Sequence, residues 1–368
     1  MADALIYADS IRSPEMRHEV PLPVPDPFLY VEHDGERHAV VTAFEVSRIE
    51  EAAPEIVVHP YEEFGWDELR RQGMEREEVY LHVCARACEA IGVKNAIVPS
   101  SFPLEFADHL RAAGVRLRVD RGAFSDRRRA KNETELAGIR RAQRAAEAAM
   151  DAARALLRKG GPELTCERLK EAIVDTLTQS GMLVEEFIVS HGPQTAVSHE
   201  LGSGPIRPGE PVLIDLWPKD RATACYADMT RTYVIGDPPD EIAEYHRLTR
   251  QALDAALAAV RAGAPGRAAH DAVCDVYEAA GYRTTRSKEP GEVLADGFIH
   301  GTGHGVGLEV HELPHVSIDQ GALRAGDVIT LEPGLYRSGL GGVRLEDIVL
   351  VTEDGADNLT DYPYELTP

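Results

Sequence analysis

The sequence of 368 residues predicts an α+β protein in two parts, and three observations support this prediction. Up to about residue 124, short apolar runs alternate with helical stretches, as they do in α/β domains. The composition then shifts near Phe124, where a basic stretch precedes a long helical segment. In the second part, an apolar strand that ends in a carboxylate occurs twice. We therefore expect a smaller α/β domain over residues 1–124 and a larger α+β domain over residues 125–368.

The elements of the first part follow from β-branched content and from the spacing of apolar residues. Strands are predicted at Ala4–Tyr7, Phe28–Glu32, His38–Ala43, Ile56–His59 and Ala96–Pro99. Helices are predicted at Arg76–Ile91 and Leu104–Ala113. The histidines and glutamates of this part are scattered, so we predict no functional site in it.

The second part opens on a long helix that has clear start and stop signals. Asn132 and Glu135 fit a capping box, and the glycines after Lys159 end the helix. Further helices are predicted at Cys166–Gln179, Glu241–Ala262 and Arg267–Ala280, and strands at Leu183–Ser190, Val212–Leu216 and Tyr226–Val234.

Composition and charge exclude several classes of partner. Acidic residues outnumber basic ones 62 to 39, which gives a formal charge of −23 and argues against duplex DNA or an anionic membrane as a partner. No apolar run reaches the ~18 residues of a membrane span, and the first residues lack the pattern of a signal peptide. The five cysteines are widely spaced, so we expect reduced thiols and a cytoplasmic location.

An internal repeat is the most informative feature of the second part. Residues 207–215 and 324–332 both read Arg-x-Gly-acid, then an apolar strand, then a carboxylate, at an offset of 117 residues. On the next strand, Asp228 matches Glu346 at an offset of 118. The order and the nearly constant offset indicate a duplicated α+β unit folded face to face.

The repeat predicts a cluster of carboxylates. An unpaired ionised group is very costly to bury, so acids among strand residues need a specific reason. If the two copies pack together, four acids converge: Asp215, Asp228, Glu332 and Glu346. Divalent metal ions are the natural counter-charge, and four acids can neutralise two of them.

Between the two copies lies a histidine cluster. His300, His304 and His311 fall within twelve residues, among four glycines that let the backbone approach a ligand closely. Neutral imidazole is a common metal ligand and also moves protons near neutral pH. The alternative is structural, with histidines that cap turns and glycines that permit a tight loop. Upstream, the repeat also pairs His199 with His315 at an offset of 116.

Five segments together resemble one known family, the prolidase and aminopeptidase P family of metallopeptidase family M24. In order they are Ile214-Asp215, Ala227–Thr232, His300–Glu312, Leu331–Tyr336 and Val343–Asp347. The resemblance covers residues 130–360 strongly. It implies the pita-bread fold, with an internal pseudo-two-fold repeat, that these enzymes share with methionine aminopeptidases. The first 124 residues resemble, more weakly, the α/β N-terminal domain of the prolidase, aminopeptidase P and creatinase branch.

The resemblance also implies a dinuclear metal site. Asp215 then corresponds to a ligand of one metal, Asp228 and Glu346 to ligands of both, and His304 and Glu332 to the remaining ligands of the second. Mn²⁺ or Co²⁺ suits such ligands best, with Fe²⁺ and Zn²⁺ as alternatives. The presence of all five ligand types argues against the non-enzymatic relatives and against creatinase, which works without metal.

Four further residues acquire roles from the resemblance, and Glu332 acquires a second one. His199 corresponds to a histidine that lines the substrate pocket, and His311 to one that contacts the scissile peptide and moves a proton. Glu332 is the proton shuttle of the attacking water. His300 supports the metal ligands from behind, and Arg344 hydrogen-bonds nearby carboxylates. The alternatives are turn-capping histidines and, for Arg344, an ordinary buried ion pair.

Two features depart from the family pattern or fall outside it. The loop from Asp215 to Asp228 is two residues longer than usual, with Trp217 and Pro218 where a small residue and a glycine are expected. His191 matches no family position, and both a pocket-lining and a structural role are open for it.

The function that we expect is release of the N-terminal residue from Xaa-Pro peptides, through a hydroxide that two metal ions share and that attacks the scissile carbonyl. Whether the chain is a dipeptidase or an aminopeptidase P stays open. An alternative is a non-peptidase metalloenzyme on the same scaffold, such as a lyase that acts on a small molecule. A third hypothesis is a binding module that has lost catalysis. A homodimer is expected from the family, and neither nucleic acid nor membrane is expected as a partner.

Overall fold

The structure is a computed structural model that describes residues 3–319 and 321–368. The chain divides into two compact units, one that ends at Arg128 and one that begins at Arg129. The composition shift at Phe124 lies four residues before this division. Phe124 is buried in a hydrophobic cluster of the first unit, so the first unit extends past it.

The first unit contains a six-stranded mixed sheet. Its strands are β1 (Asp3–Ala8), β2 (Phe28–His33), β3 (Glu36–Val41), β4 (Ile56–Pro60), β5 (Asn95–Val98) and β6 (Arg116–Val119), in the order β4-β3-β2-β1-β5-β6. The pairs β1–β2 and β2–β3 are antiparallel, and the other three pairs are parallel.

Helices cover both faces of this sheet. They are α1 (Pro14–Glu19), α2 (Val46–Ala52), α3 (Trp66–Arg71), α4 (Arg76–Ile91), α5 (Leu104–Ala112) and α6 (Arg121–Arg129), with a short 3₁₀ helix at Tyr61–Phe64. Leu5 packs with residues of α4 and α5, whereas Ile6 packs with residues of α1 and α2. This alternation of successive strand residues between two cores is what a sheet covered on both sides requires.

The predicted elements of the first unit are confirmed, and several others were not predicted. Helix α4 has the predicted bounds, and the five predicted strands coincide with β1 to β5 to within two residues at each end. Strand β6 and helices α1, α2, α3 and α6 were missed. The missed helices have nine residues or fewer, and α6 is rich in arginine, so neither length nor apolar spacing marks them.

Two helix pairs frame the second unit. The helices are α7 (Glu133–Lys159), α8 (Cys166–Gln179), α9 (Asp240–Ala259) and α10 (Gly266–Ala279). The capping box of α7 is confirmed, because the Asn132 side chain accepts a hydrogen bond from the Glu135 amide at 2.9 Å. The Asn132 amide in turn donates to the Glu135 carboxylate at 3.0 Å.

The strands of the second unit form four small sheets. They are β7 (Met182–Leu183), β8 (Ile188–His191), β9 (Pro211–Leu216), β10 (Lys219–Asp220), β11 (Met229–Val234), β12 (Gly303–Gly305), β13 (Glu312–Val316), β14 (Val328–Leu331), β15 (Gly334–Arg337), β16 (Gly341–Arg344), β17 (Asp347–Val351) and β18 (Ala356–Asn358). The sheet orders are β11-β9-β8, β13-β12-β14-β17-β18, β10-β7 and β15-β16.

The sequence repeat is visible in this arrangement. Helices α7 and α8 precede the antiparallel pair β9–β11, and helices α9 and α10 precede the antiparallel pair β14–β17. Two hydrophobic cores follow the same division, one built mainly on α7 and α8 and the other on α9 and α10. The predicted α+β fold with an internal pseudo-two-fold repeat is confirmed.

Two predicted strands are wrong in their bounds. The segment Leu183–Ser190 is not one strand, because β7 pairs with β10 and β8 pairs with β9, and the residues between them belong to neither ladder. The segment Tyr226–Val234 is regular only from Met229. The Tyr226 amide instead donates to the Gly307 carbonyl and the Ala227 amide to the Pro218 carbonyl.

Within the described residues, no helix combines the length and the apolar character needed to cross a membrane. All five cysteines are buried free thiols.

A buried ion pair ties the C-terminal segment to the two strand pairs. Arg231, 1% exposed on its side chain, donates to Asp347 at 2.9 Å and to the carbonyls of Glu346 and Tyr362. Asp347 is fully buried and also accepts from Asn358. Removing either charge would leave the other buried without an opposite charge, which is far more costly than losing an exposed pair.

We expect Asp347→Ala to lower the free energy of unfolding by about 3–5 kcal/mol, because it leaves the Arg231 guanidinium uncompensated. Chemical denaturation followed by circular dichroism measures the change. The matched control is Glu171→Ala, which breaks an exposed pair with Arg168 (side chains 60% and 63% exposed) and should cost at most about 1 kcal/mol. Equal losses in the two variants would contradict this view of the buried pair.

Candidate active site

A pocket of about 630 Å³ in the second unit contains every residue that the sequence assigns to the site. These residues are His199, Asp215, Asp228, His300, His304, His311, Glu332, Arg344 and Glu346. They come from loops and strand ends spread over almost 150 residues of sequence. The fold therefore brings the predicted carboxylates and histidines to one place.

The ends of two antiparallel strand pairs position the four carboxylates. Asp215 lies near the end of β9, opposite Thr230 of β11, and Asp228 immediately precedes β11. In the other pair, Glu332 directly follows β14 and Glu346 directly precedes β17. The two halves thus offer the same arrangement, an acid where one strand ends and another where its partner begins.

Burial and neighbouring carboxylates disfavour the ionised forms of three of these acids, Asp228, Glu332 and Glu346. Asp228 is 4% exposed and Glu346 is 2% exposed. Burial, and next the neighbouring carboxylates, raise the pKa of both groups well above their usual range. Burial also raises the pKa of Glu332 to about 7. A positive charge bound among these carboxylates would relieve their repulsion, so the pocket favours cations.

Arg344 is the only arginine or lysine among the described residues that line the pocket. Its guanidinium donates to the Asp215 carboxylate, to the Thr230 hydroxyl at 3.2 Å and to the Tyr336 hydroxyl at 3.0 Å. Thr230 in turn donates to Glu346 at 2.7 Å. One guanidinium offsets one carboxylate and leaves the other three without a cation.

The contacts of His304 assign its tautomer. Its Nδ1 lies 3.2 Å from the Gly305 carbonyl, which can only accept, so Nδ1 carries the proton. Burial lowers the pKa of His304 to about 3, which keeps the ring neutral. Its Nε2 lone pair then faces Glu332 at 3.5 Å and Asp228 at 3.8 Å. This arrangement of a lone pair and carboxylates is suited to a positive ion placed between them.

A hydrogen-bond chain fixes His300 behind these ligands. Its Nδ1 lies 2.7 Å from the Gly301 carbonyl and therefore donates to it, and its Nε2 lies 2.9 Å from the Tyr336 hydroxyl. Because Tyr336 accepts from Arg344, its own proton is directed to His300 Nε2. Burial, and next the charge of Arg344, lower the pKa of His300 to about 3.

Thr230 and Tyr336 are site residues that the sequence did not predict. Both fall within segments that carry the family resemblance, but their partners are remote in sequence. Thr230 bonds Glu346, 116 residues away, and Tyr336 bonds His300, 36 residues away. His315, Trp217 and Glu186 also line the pocket. The repeat pairs His315 with His199, and the sequence marks Trp217 as a departure from the family pattern near the site, but nothing in the sequence pointed to Glu186.

His199 and His311 lie on the exposed side of the pocket. His311 packs against His304, with ring centroids 4.2 Å apart. Burial lowers the pKa of His311, which favours the neutral imidazole. His199 lies in the loop after a 3₁₀ helix at Gly192–Ala196 and is exposed. Both imidazoles are accessible to a molecule that enters the pocket.

The glycines of the histidine segment allow close packing of strands. A Cβ at Gly303 would lie 2.0 Å from the Thr330 carbonyl oxygen, and one at Gly305 would lie 2.2 Å from the Leu313 carbonyl oxygen. We expected these glycines to let a ligand approach the backbone closely. In the structure they instead let neighbouring strands pack closely. They let β12 fit between β13 and β14, which holds His304 in the wall of the pocket.

The longer loop and His191 have separate structural explanations. The loop after Asp215 forms β10, which pairs with β7 and leaves Trp217 lining the pocket. His191 Nδ1 lies 2.8 Å from the Glu210 carboxylate, and its Nε2 lies 3.2 Å from the Ser203 carbonyl. Its partners are structural, and it is absent from the described lining of the pocket.

The donor set fits a divalent cation. Ligand atoms of Asp228, His304 and Glu346 lie within 4.8 Å of one another. Asp215 Oδ1 is buried without a hydrogen-bond partner among the described residues. Oxygen donors with one neutral imidazole suit Mn²⁺, Co²⁺, Fe²⁺ or Zn²⁺.

Comparisons with known proteins agree with this geometry. Residues 137–353 match the model of metallopeptidase family M24. The probable dipeptidase PepE of Mycobacterium tuberculosis is 34% identical over 255 residues, a match that spans 65% of this chain but only 60% of that protein. The Xaa-Pro dipeptidase of Pyrococcus horikoshii is 32% identical over 284 residues, which cover 75% of each chain.

The fold has solved counterparts as well. The crystal structure of the prolidase from Pyrococcus horikoshii OT3 superposes with a TM-score of 0.79 at 26% identity, over all of this chain and 95% of that one. This likeness confirms the expected pita-bread fold with its N-terminal domain. The chain therefore belongs to metallopeptidase family M24, in the branch that contains the prolidases.

Proposed function

We propose that the chain is a metal-dependent exopeptidase that releases the N-terminal residue from Xaa-Pro peptides. The observation that carries the proposal is the convergence of four carboxylates and the Nε2 lone pair of His304 in one pocket that offers a single guanidinium. The M24 match and the dipeptidase names of the relatives support peptide hydrolysis.

The proposed metal ligands are the five residues that the sequence predicts. Asp215 would serve one ion, Asp228 and Glu346 both ions, and His304 and Glu332 the second ion. The orphaned Oδ1 of Asp215 and the free Nε2 of His304 support this assignment. Four carboxylates match the charge of two divalent ions, of which Mn²⁺ or Co²⁺ is proposed first.

Bound divalent ions would supply a nucleophile at neutral pH, by lowering the pKa of water, and would polarise the scissile carbonyl. Glu332 is proposed to accept the proton of the attacking water. Arg344 holds Asp215 in place, and the Tyr336–His300 pair fills the space behind Glu332. These supports keep the carboxylates oriented before a substrate enters.

His311 and His199 are proposed to bind the substrate. Both are accessible imidazoles on the pocket wall, and His311 contacts the ring of His304. They can donate a hydrogen bond to the scissile carbonyl and give a proton to the leaving nitrogen. Proline at the second position of the substrate removes the N–H on which general peptidases rely, and none of these groups needs that N–H.

The homodimer and the cytoplasmic location stay predictions. The homodimer rests on the family resemblance, and the location rests on the five free thiols.

The first test is hydrolysis of Ala-Pro and of Ala-Pro-Ala by protein loaded with Mn²⁺ or Co²⁺, followed by amino acid release. We expect cleavage of at least one peptide, loss of activity with a chelator, and no activity in Asp215→Asn. Cleavage of the dipeptide alone would define a dipeptidase, and a preference for the tripeptide an aminopeptidase P. If the metal-loaded protein hydrolyses neither peptide, the proposal is contradicted.

The second test compares thermal stability with and without metal. In metal-free protein the pKa of Asp228 lies well above its usual value, so its ionisation opposes folding, and stability falls as the pH rises above about 4, the ordinary pKa of an aspartate. Asp228→Asn removes this repulsion, and we expect its metal-free Tm to exceed that of the wild type by about 2–4 °C for each kcal/mol regained. Added Mn²⁺ should then raise the Tm of the wild type far more than that of the variant.

The control for this test is Asp354→Asn, which alters an exposed turn and should follow the wild type with and without metal. Scanning calorimetry after dialysis against a chelator gives both Tm values. A metal-free Asp228→Asn protein that melts below the wild type would argue against electrostatic repulsion in the pocket.

A further inference from the structure

One carboxylate in the pocket has no part in the proposed metal site. Glu186 lines the pocket from the segment between β7 and β8. It is exposed, and among the described residues no hydrogen bond or ion pair engages its carboxylate. An exposed carboxylate is ordinary on a surface, but this residue lines the pocket that a substrate would occupy.

Nothing positive in the described pocket wall neutralises Glu186. Arg344 is the single arginine or lysine of the lining, and its guanidinium is already bonded to Asp215, Thr230 and Tyr336. Two divalent ions would balance the four carboxylates of the metal site. Glu186 therefore contributes a negative charge that only the substrate or solvent cations can offset.

Apolar residues contribute to the wall of the pocket that Glu186 lines. Ile188, Trp217 and Leu201 line the same pocket, and Trp217 is half-buried against the core around α7 and α8. Aromatic and aliphatic residues in a pocket that also holds a carboxylate outside the metal site suit a lysine or arginine side chain, whose stem packs on apolar surface while its cationic head stays near an acid.

We propose that Glu186 selects substrates whose N-terminal residue carries a positively charged side chain. This inference rests on the proposed exopeptidase function and specifies its substrate class. The apolar wall at Trp217 holds the methylene stem, and the Glu186 carboxylate pairs with the ammonium or guanidinium group. Peptides of the type Lys-Pro and Arg-Pro are then preferred over neutral peptides of similar length.

The adjacent Glu185 provides a matched control. Its carboxylate accepts a hydrogen bond from the Tyr226 hydroxyl, and it is not among the described lining of the pocket. Glu185→Gln and Glu186→Gln change the net charge equally at neighbouring positions. Only the second removes a charge that faces the substrate.

The experiment compares kcat/KM for Lys-Pro and Met-Pro, whose first side chains have similar length, in the wild type and in both variants. We expect Glu186→Gln to lower the Lys-Pro to Met-Pro ratio by about threefold to fivefold, as for an accessible ion pair, and Glu185→Gln to keep the wild-type ratio. Raising the salt concentration should shrink the wild-type preference, because exposed pairs are screened. Glu186→Lys should shift the preference toward Glu-Pro.

Three results would overturn the inference. The first is a wild-type kcat/KM for Lys-Pro that does not exceed the value for Met-Pro. An equal loss on both peptides in Glu186→Gln is another, because it indicates contact with the α-ammonium group that all substrates share. Equal ratios in the two glutamine variants are the third.

Failure of the proposed function is distinguishable from these results. Calorimetric titration of Lys-Pro and Met-Pro into metal-free wild-type protein and into metal-free Glu186→Gln protein measures binding without turnover. Tighter binding of Lys-Pro that depends on Glu186, with no hydrolysis by the wild type, would support the selection and overturn the exopeptidase function. Equal binding of the two peptides would overturn the selection.

Discussion

The second unit depends on holding four carboxylates in a pocket that offers them one guanidinium. The four are Asp215, Asp228, Glu332 and Glu346. Folding brings these like charges out of water and close to one another, so the ionised forms oppose the folded state. A divalent cation reverses the sign of this effect, because it attracts the groups that repel one another. A bound ion would therefore stabilise the fold as well as take part in the proposed chemistry.

The two copies of the repeat are interlocked at the place where this charge is held. The Glu346 amide donates to the Thr230 carbonyl at 3.0 Å, and the Thr232 hydroxyl bonds the backbone of Arg344 in both directions. The side chain of Arg344 reaches back to Asp215. A strand that slipped by one residue would turn its acid to the opposite face. These cross-copy bonds fix the register and so the position of each carboxylate.

Local signals in the sequence predicted what is local in the structure. The capping box at Asn132 and the bounds of α4 depend on neighbouring residues, and both are confirmed. The four acids were found because a repeat converts a distant pairing into a pattern that a single sequence displays. Tyr336 was missed, because its role rests on His300, 36 residues away, and no repeat marks that pair. The interruption of the predicted strand Leu183–Ser190 depends on β10, which forms only when the loop after Asp215 folds back.

The acids of the pocket differ in their burial. The buried acids belong to the proposed metal site, whereas the exposed Glu186 belongs to the proposed selection of substrates. Asp228 and Glu346 are buried behind strand ends, where a change of charge alters the stability of the whole unit. Glu186 lies on an exposed segment between two short strands, where its charge can change at little cost to the fold. We therefore expect a change of charge to alter stability little at Glu186 and much more at Asp228 and Glu346.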